Sequence, residues 1–229
     1  MKQPVDIMVV APHPDDPEFG VGGAVARWIR EGKCVVYVIC TNGDKGSSDT
    51  SMKPEKLAKI REKEQLAAAK VLGVREVVFL RFPDQGLEDT TDFRKEIVRQ
   101  IRIFRPNTVM TADPYRRYLW HRDHRITGQV TLDAVYPYAR DFMAYPDLWR
   151  QGYEPHKVSE IMVWGSEAPN FRVDITETFD LKLEALRCHK SQIGGGRDVE
   201  QWIRQRAEEM AWGEKFKLAE AFHREEVRM

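Results

Sequence analysis

Four strand-length, largely apolar runs, separated by stretches with helical spacing, constrain this chain more than anything else in it. The runs are Asp6 to Ala11 (Ile7-Met8-Val9-Val10 at its centre), Val35 to Thr41, Val77 to Phe82 and Thr108 to Ala112. The first is continuous rather than alternating in hydrophobicity, which suits a strand buried on both faces of a parallel sheet, and the second reads as buried too. Between them, Glu18 to Glu31 reads as a helix stopped by Gly32, and Pro54 to Leu72 as one closed by Gly73. Phe93 to Phe104 carries Phe93, Ile97, Ile101 and Phe104 on one stripe, with Pro106 beyond it. Strands alternating with helices predict a mostly parallel, doubly wound α/β sheet with right-handed crossovers.

The remainder is less regular. A helix is expected from Arg125 to Tyr136, and residues 137–158, rich in Pro, Tyr and Trp, read as an irregular loop or lid. Ser159 to Gly165 is a fifth strand, and Arg172 to Thr176 a short edge strand running into a helix over 177–190. Gly194-Gly195-Gly196 reads as a flexible joint, and Asp198 to Val227 as a charged helix anchored by Trp202, Met210, Trp212 and Phe216. At 229 residues the expectation is one domain over 1–229: a core at 1–136, a lid and edge strands at 137–191, and a C-terminal helical arm at 192–229. That arm is the expected packing or homo-oligomer contact.

Charge narrows the partners. With 36 basic and 36 acidic residues the formal charge is zero, so no global field recruits nucleic acid. The apolar runs are strand-length, which predicts no membrane span. Met1-Lys2-Gln3-Pro4 leads straight into a strand without a signal-peptide core. Cys34, Cys40 and Cys188 form no CxxC pair, and Cys34 and Cys40 share the parity of one strand. Reduced thiols in a cytoplasmic protein are the expectation.

The chemistry gathers after the strands. In open α/β sheets ligands bind beyond the carboxyl ends of the strands, where strand order reverses. His13, Asp15 and Asp16 follow the first run, Asp44 the second, Asp84 the third, and Asp113, His121 and His124 the fourth. Pro12 and Pro14 hold Ala11 and His13 extended. Pro17 suits a first helical position, which would make Asp16 the N-cap. Neighbouring side chains in extended chain point opposite ways, so Asp15 and Asp16 are expected to do different jobs. Gly20, Gly22 and Gly23 in the first turns imply close packing or room for a ligand. His121 and His124, three apart at a helix start, share a face.

Imidazole and carboxylate are ligands that Zn²⁺ takes, and a catalytic site uses about three of them. His13, Asp16 and His124 are assigned to the metal, Asp15 to the general base, and His121 to oxyanion stabilisation or proton donation. Iron, cobalt or manganese suits the same donors.

His13-Pro14-Asp15-Asp16, followed by Glu18 and a glycine-rich helix start, resembles the first motif of the PIG-L/LmbE-like zinc-dependent N-deacetylases. His121-Arg122-Asp123-His124 resembles the second, of HxDH type. Thr41 to Gly46, Arg61 to Glu64, Phe82-Pro83-Asp84, Val173 to Thr176 and His189 to Gln192 fall in the family's order. The resemblance implies a Rossmann-like fold and hydrolysis of an N-acetyl group from an N-acetylglucosamine-type sugar or conjugate, a small molecule. It implies the same metal ligands and base. It gives Arg61 and Asp84 to the substrate, and places Asp123 and Asp44 behind the ligands. Asp44 departs from a commoner glutamate, which weakens its part. His189 reads as a satisfied, partly buried histidine. Rival readings are another metal-dependent amidohydrolase, a phosphoesterase, or a metal-binding protein without turnover. A dinucleotide module would need GxGxxG after the first strand, and the glycines here come after the HPDD turn.

Overall fold

A computed structural model describes residues 3–193 and 197–228. Five parallel strands form its centre: β1 Ile7–Ala11, β2 Val35–Thr41, β3 Glu76–Phe82, β4 Thr108–Ala112 and β5 Glu160–Trp164. Two more, β6 Phe171–Asp174 and β7 Ala219–Glu226, complete a seven-stranded sheet in the order β3-β2-β1-β4-β5-β7-β6. Strand order reverses between β1 and β4, which opens the switch-point crevice of a doubly wound sheet. The mostly parallel α/β fold expected from the apolar runs is present, with β6 at an edge.

β1 and β2 are buried along their whole length because both faces of the sheet are covered there, whereas the edge strand β3 is half-buried and exposes Arg81. Val9, Ala11, Tyr37, Ile39 and Met110 face helices α1 (Asp16–Arg30), α2 (Pro54–Leu72), α6 (Phe179–Arg187) and α7 (Arg197–Met210). Met8, Val10, Val36, Val38 and Val109 face α3 (Thr91–Phe104) and α4 (Arg122–Asp133). Each such aliphatic side chain contributes roughly 1.5–3 kcal/mol on burial. Gly128 sets how closely α4 approaches the sheet: a Cβ there would lie 2.4 Å from the Ala112 carbonyl oxygen. His121, Asp123 and His124 are therefore carried against the end of β4.

The C-terminal region departs from the expected helix. α7 ends at Met210, and β7 inserts antiparallel between β5 and β6. The Ala219–Glu226 segment is charged and poor in β-branched residues, so local preference gives no hint of a strand; neighbours on both sides decide it. Glu220 of this strand is buried and pairs with Lys182 of α6 at 2.5 Å. Its carboxylate also accepts the Gly23 and Ala24 N–H groups at 3.0 and 2.8 Å, while Lys182 Nζ donates to the Phe19 carbonyl at 2.8 Å. A buried ion pair thus serves the backbone of α1 mid-helix. A Cβ at Gly23 would stand 2.9 Å from Ile175, so the α1 glycines answer to packing. The glycine run at 194–196 lies outside the described residues.

Residues 137–158 pack along α3 rather than standing over the strand ends. They follow a π-turn at Ala134–Tyr138 and include a short helix, α5 (Pro146–Arg150). Buried Arg102 of α3 donates to the carbonyls of Tyr138, Ala139, Asp141 and Tyr145. His156 hydrogen-bonds the Pro106 carbonyl, at the entry to β4.

Candidate metal centre

The turn after β1 begins α1 one residue earlier than Pro17 suggested. Asp16 is the first helical residue, and Asp15 occupies the N-cap without making a side-chain cap bond. Freed from capping, Asp16 turns inward: its Oδ2 accepts the His13 N–H at 2.9 Å and stands 3.1 Å from His13 Nδ1. Its Oδ1 is 3.4 Å from His124 Nε2. One carboxylate therefore spans the two histidines. Metal bonds of about 2.0–2.1 Å give a tetrahedral edge of about 3.3 Å, close to each of these separations, and one ring nitrogen each of His13, His121 and His124 lie within 4.8 Å of one another, close enough to hold one ion. His121 completes a triangle of imidazoles, 4.6 Å from His13 and 5.0 Å from His124 between ring centroids. Its ring is the most exposed of the three.

Behind His13 lies a second ring of carboxylates. Nε2 of His13 is 3.1 Å from Asp84 Oδ1 and 3.2 Å from Asp123 Oδ2. Asp123 is wholly buried and also accepts the N–H groups of Gln85 and Leu87. A carboxylate on the far nitrogen fixes a ligating imidazole's tautomer and raises its basicity. Burial would lower the pKa of His13, but bonds to Asp123, Asp16 and Asp84 outweigh it and raise the value to about 11. Asp16 moves the other way, to about 2: burial disfavours its charge, and His124 and His13 more than compensate. The site presents a concentrated negative charge held by a protonated imidazole, as a divalent-cation site would.

The Asp15 carboxylate is held by Arg61. Its Oδ2 meets the Arg61 guanidinium at 3.2 Å, and its pKa rises to about 7 because burial and the Asp16 charge outweigh Arg61. Its backbone sits at φ 96°, a conformation that costs a residue with a side chain roughly 1–3 kcal/mol. Two side chains hold it there through three bonds: Arg61 bonds the Pro14 carbonyl at 2.6 Å and the Asp15 carboxylate, and Gln65 Oε1 accepts the Asp15 N–H at 2.9 Å.

Arg61 and Asp84, expected at the substrate, are both about 4 % exposed and committed inward. Arg61 bonds the carbonyls of Pro14 and Gly43, and Asp84 accepts the Lys45 N–H while facing His13. Asp44 bonds Asn42 in the loop after β2, and no hydrogen bond described for it reaches the histidine cluster. His189 is fully rather than partly buried, with Nε2 on Glu18 and Nδ1 without a partner among the described residues. Sequence reasoning missed Gln65, and named its partner Glu18 only as part of the first motif, without a role. The signal available was a glutamine on the inner face of α2, one residue past Glu64.

The family model described as PIG-L, GlcNAc-PI de-N-acetylase, matches residues 8–135, the segment that contains both motifs. This chain belongs to that family. Among family relatives, the diacetylchitobiose deacetylase of Thermococcus kodakarensis is 35% identical over 191 residues, covering 82% of this chain and 70% of the relative. A probable N-acetyl-α-D-glucosaminyl L-malate deacetylase 2 of Bacillus anthracis is 27% identical, covering 84% of each chain. The crystallised N,N'-diacetylchitobiose deacetylase of Pyrococcus horikoshii superposes with a TM-score of 0.91 at 31% identity, over 96% of this chain and 83% of that one.

Proposed function

We propose that this protein is a zinc-dependent N-deacetylase that removes the acetyl group from an N-acetylglucosamine-type sugar or a glucosamine conjugate and releases acetate. The observation that carries the reading is Asp16 spanning His13 and His124 at the β1/β4 switch point, with Asp15 and His121 left over beside them. The names of the family relatives agree with it.

His13, Asp16 and His124 would hold the ion, and Asp123 and Asp84 would fix the His13 ring behind it. When bound, Zn²⁺ supplies Lewis acidity that makes a water able to lose its proton near neutral pH. Asp15 takes that proton as the water attacks the acetyl carbon; its raised pKa lets it accept at neutral pH and return the proton to the departing amine. His121 has its pKa lowered by burial and by the neighbouring His13 and His124 charges, so near neutral pH it offers an N–H to the carbonyl oxygen as charge develops there. Arg61 keeps the Asp15 carboxylate in place.

We assign the whole of 1–229 to one catalytic domain, since the C-terminal strand lies inside the sheet. The unpaired thiols of Cys34, Cys40 and Cys188 suit a reducing compartment such as the cytoplasm. Exposed Phe142 and Trp149, their ring centroids 5.1 Å apart, offer an apolar patch for self-association, checked by light scattering.

The experiment is amine release from N-acetylglucosamine, diacetylchitobiose and a glucosaminyl malate conjugate by zinc-loaded protein. Asp15→Asn is expected to keep its metal and lose roughly 10²–10⁴-fold in turnover. Absence of acetate release from every sugar by folded, zinc-loaded protein refutes the proposal.

A further inference from the structure

Three buried side chains that the mechanism does not use form one continuous chain beneath Asp15. Gln65 of α2, Glu18 of α1 and His189 just past α6 are each fully buried. The Asp15 N–H donates to Gln65 Oε1 at 2.9 Å, Gln65 Nε2 donates to Glu18 Oε1 at 2.9 Å, and His189 Nε2 meets Glu18 Oε2 at 3.0 Å. Each bond dictates the next. A backbone N–H needs an acceptor, so the carbonyl end of Gln65 faces Asp15. The amide end must then face Glu18, whose other oxygen takes the histidine N–H. The amide cannot flip without opposing donor to donor at one end and acceptor to acceptor at the other.

His189 is itself anchored. Ser191 donates its N–H and hydroxyl to Glu64 of α2 at 2.8 and 2.6 Å, and Gln192 donates to the Gly46 carbonyl at 3.0 Å. The segment following α6 is thus pinned to α2 and to the loop after β2, and its histidine reaches α1.

We propose that Gln65 is the positioning residue for Asp15, its amide locked by Glu18 and His189, so that residues 189–192 set the geometry of the base from across the chain. The proposal rests on Asp15 acting as the general base. Its physical basis is the Asp15 backbone at φ 96°, which does not persist unless its surroundings enforce it. Arg61 secures the preceding carbonyl and the carboxylate; Gln65 secures the N–H between them. Loss of that bond lets the turn relax and the carboxylate swing, with the metal donors untouched.

The test uses full-length protein, Gln65→Met, and the exchanged pair Glu18→Gln/Gln65→Glu. In the exchanged pair all three bonds can re-form: a carboxylate at 65 accepts the Asp15 N–H, and an amide at 18 donates to it while accepting from His189. Gln65→Met is expected to lower kcat roughly 10- to 100-fold with KM and zinc content unchanged. Amide hydrogen exchange at Asp15, measured in metal-free protein, is expected to rise at least about tenfold. The exchanged pair is expected to recover most of both losses. A Gln65→Met protein within about twofold of the parent in kcat and in Asp15 exchange overturns the proposal. So does a folded, zinc-bound exchanged pair as impaired as Gln65→Met, and that arm decides if Gln65→Met does not fold. Should the parent deacetylate none of the sugars, the exchange measurement still decides: raised exchange restored by the exchanged pair supports positioning, and unchanged exchange rejects it.

Discussion

Metal binding at this site should expel a proton, and the amount follows from the surroundings of His13. Three carboxylates, those of Asp16, Asp84 and Asp123, stand within 3.2 Å of its two nitrogens. They hold the imidazolium up to about pH 11 although the ring is buried. A metal on one ring nitrogen needs that nitrogen deprotonated. At pH 7 the proton lies some four units below its pKa, so its removal costs about 5 kcal/mol, at 1.36 kcal/mol per unit. Apparent zinc affinity should therefore rise about tenfold per pH unit through the neutral range, with close to one proton released per ion. Calorimetric titration of metal-free protein, in buffers of different ionisation enthalpy, measures the proton count; a chelator competition at stepped pH measures the slope. The same proton stabilises the metal-free fold. The folded pKa is raised above the ordinary 6.5, so this contribution is complete below that value and is lost as pH climbs toward about 11. Alkaline unfolding should then come earlier without metal than with it. Zero proton release with pH-independent affinity refutes the reasoning, because it means that His13 is already neutral.

Asp15 gives the turnover its own pH dependence. As a base with a pKa raised to about 7 it must be ionised, so kcat/KM should climb with pH below that value and level off above it. A bound cation nearby moves the limb to lower pH, and a flat profile from about pH 4 to 8 at constant zinc content rejects the assignment. Lys182→Met strands Glu220 in the core without its cation; a loss of roughly 3–5 kcal/mol, seen as a Tm lowered by about 10 °C, is expected in thermal melts. Gly128→Ala forces a methyl against the Ala112 carbonyl and displaces the start of α4, so stability should fall by about 1–3 kcal/mol and zinc affinity with it. Unchanged melting and zinc binding in that variant remove Gly128 from the account of how the histidines are placed.

The scaffold and the address of the chemistry are legible along the linear chain. Ile7–Ala11 is read directly as a buried parallel strand, because a strand covered on both faces has no need of polar positions that would disguise it. The prolines around His13 and the three-residue spacing of His121 and His124 are local features, and local features survive in a linear reading. Which donor meets which is not local. Asp123 reaches His13 across 110 residues, Gln65 reaches Asp15 across 50, and His189 reaches Glu18 across 171. Chain folding turned Arg61 and Asp84 inward as supports, left Asp44 with its own loop, and drew a charged C-terminal segment into the sheet as β7. Hydrogen bonding and ion pairing act through space over about 3 Å, so these choices are made only when distant strands and helices come together.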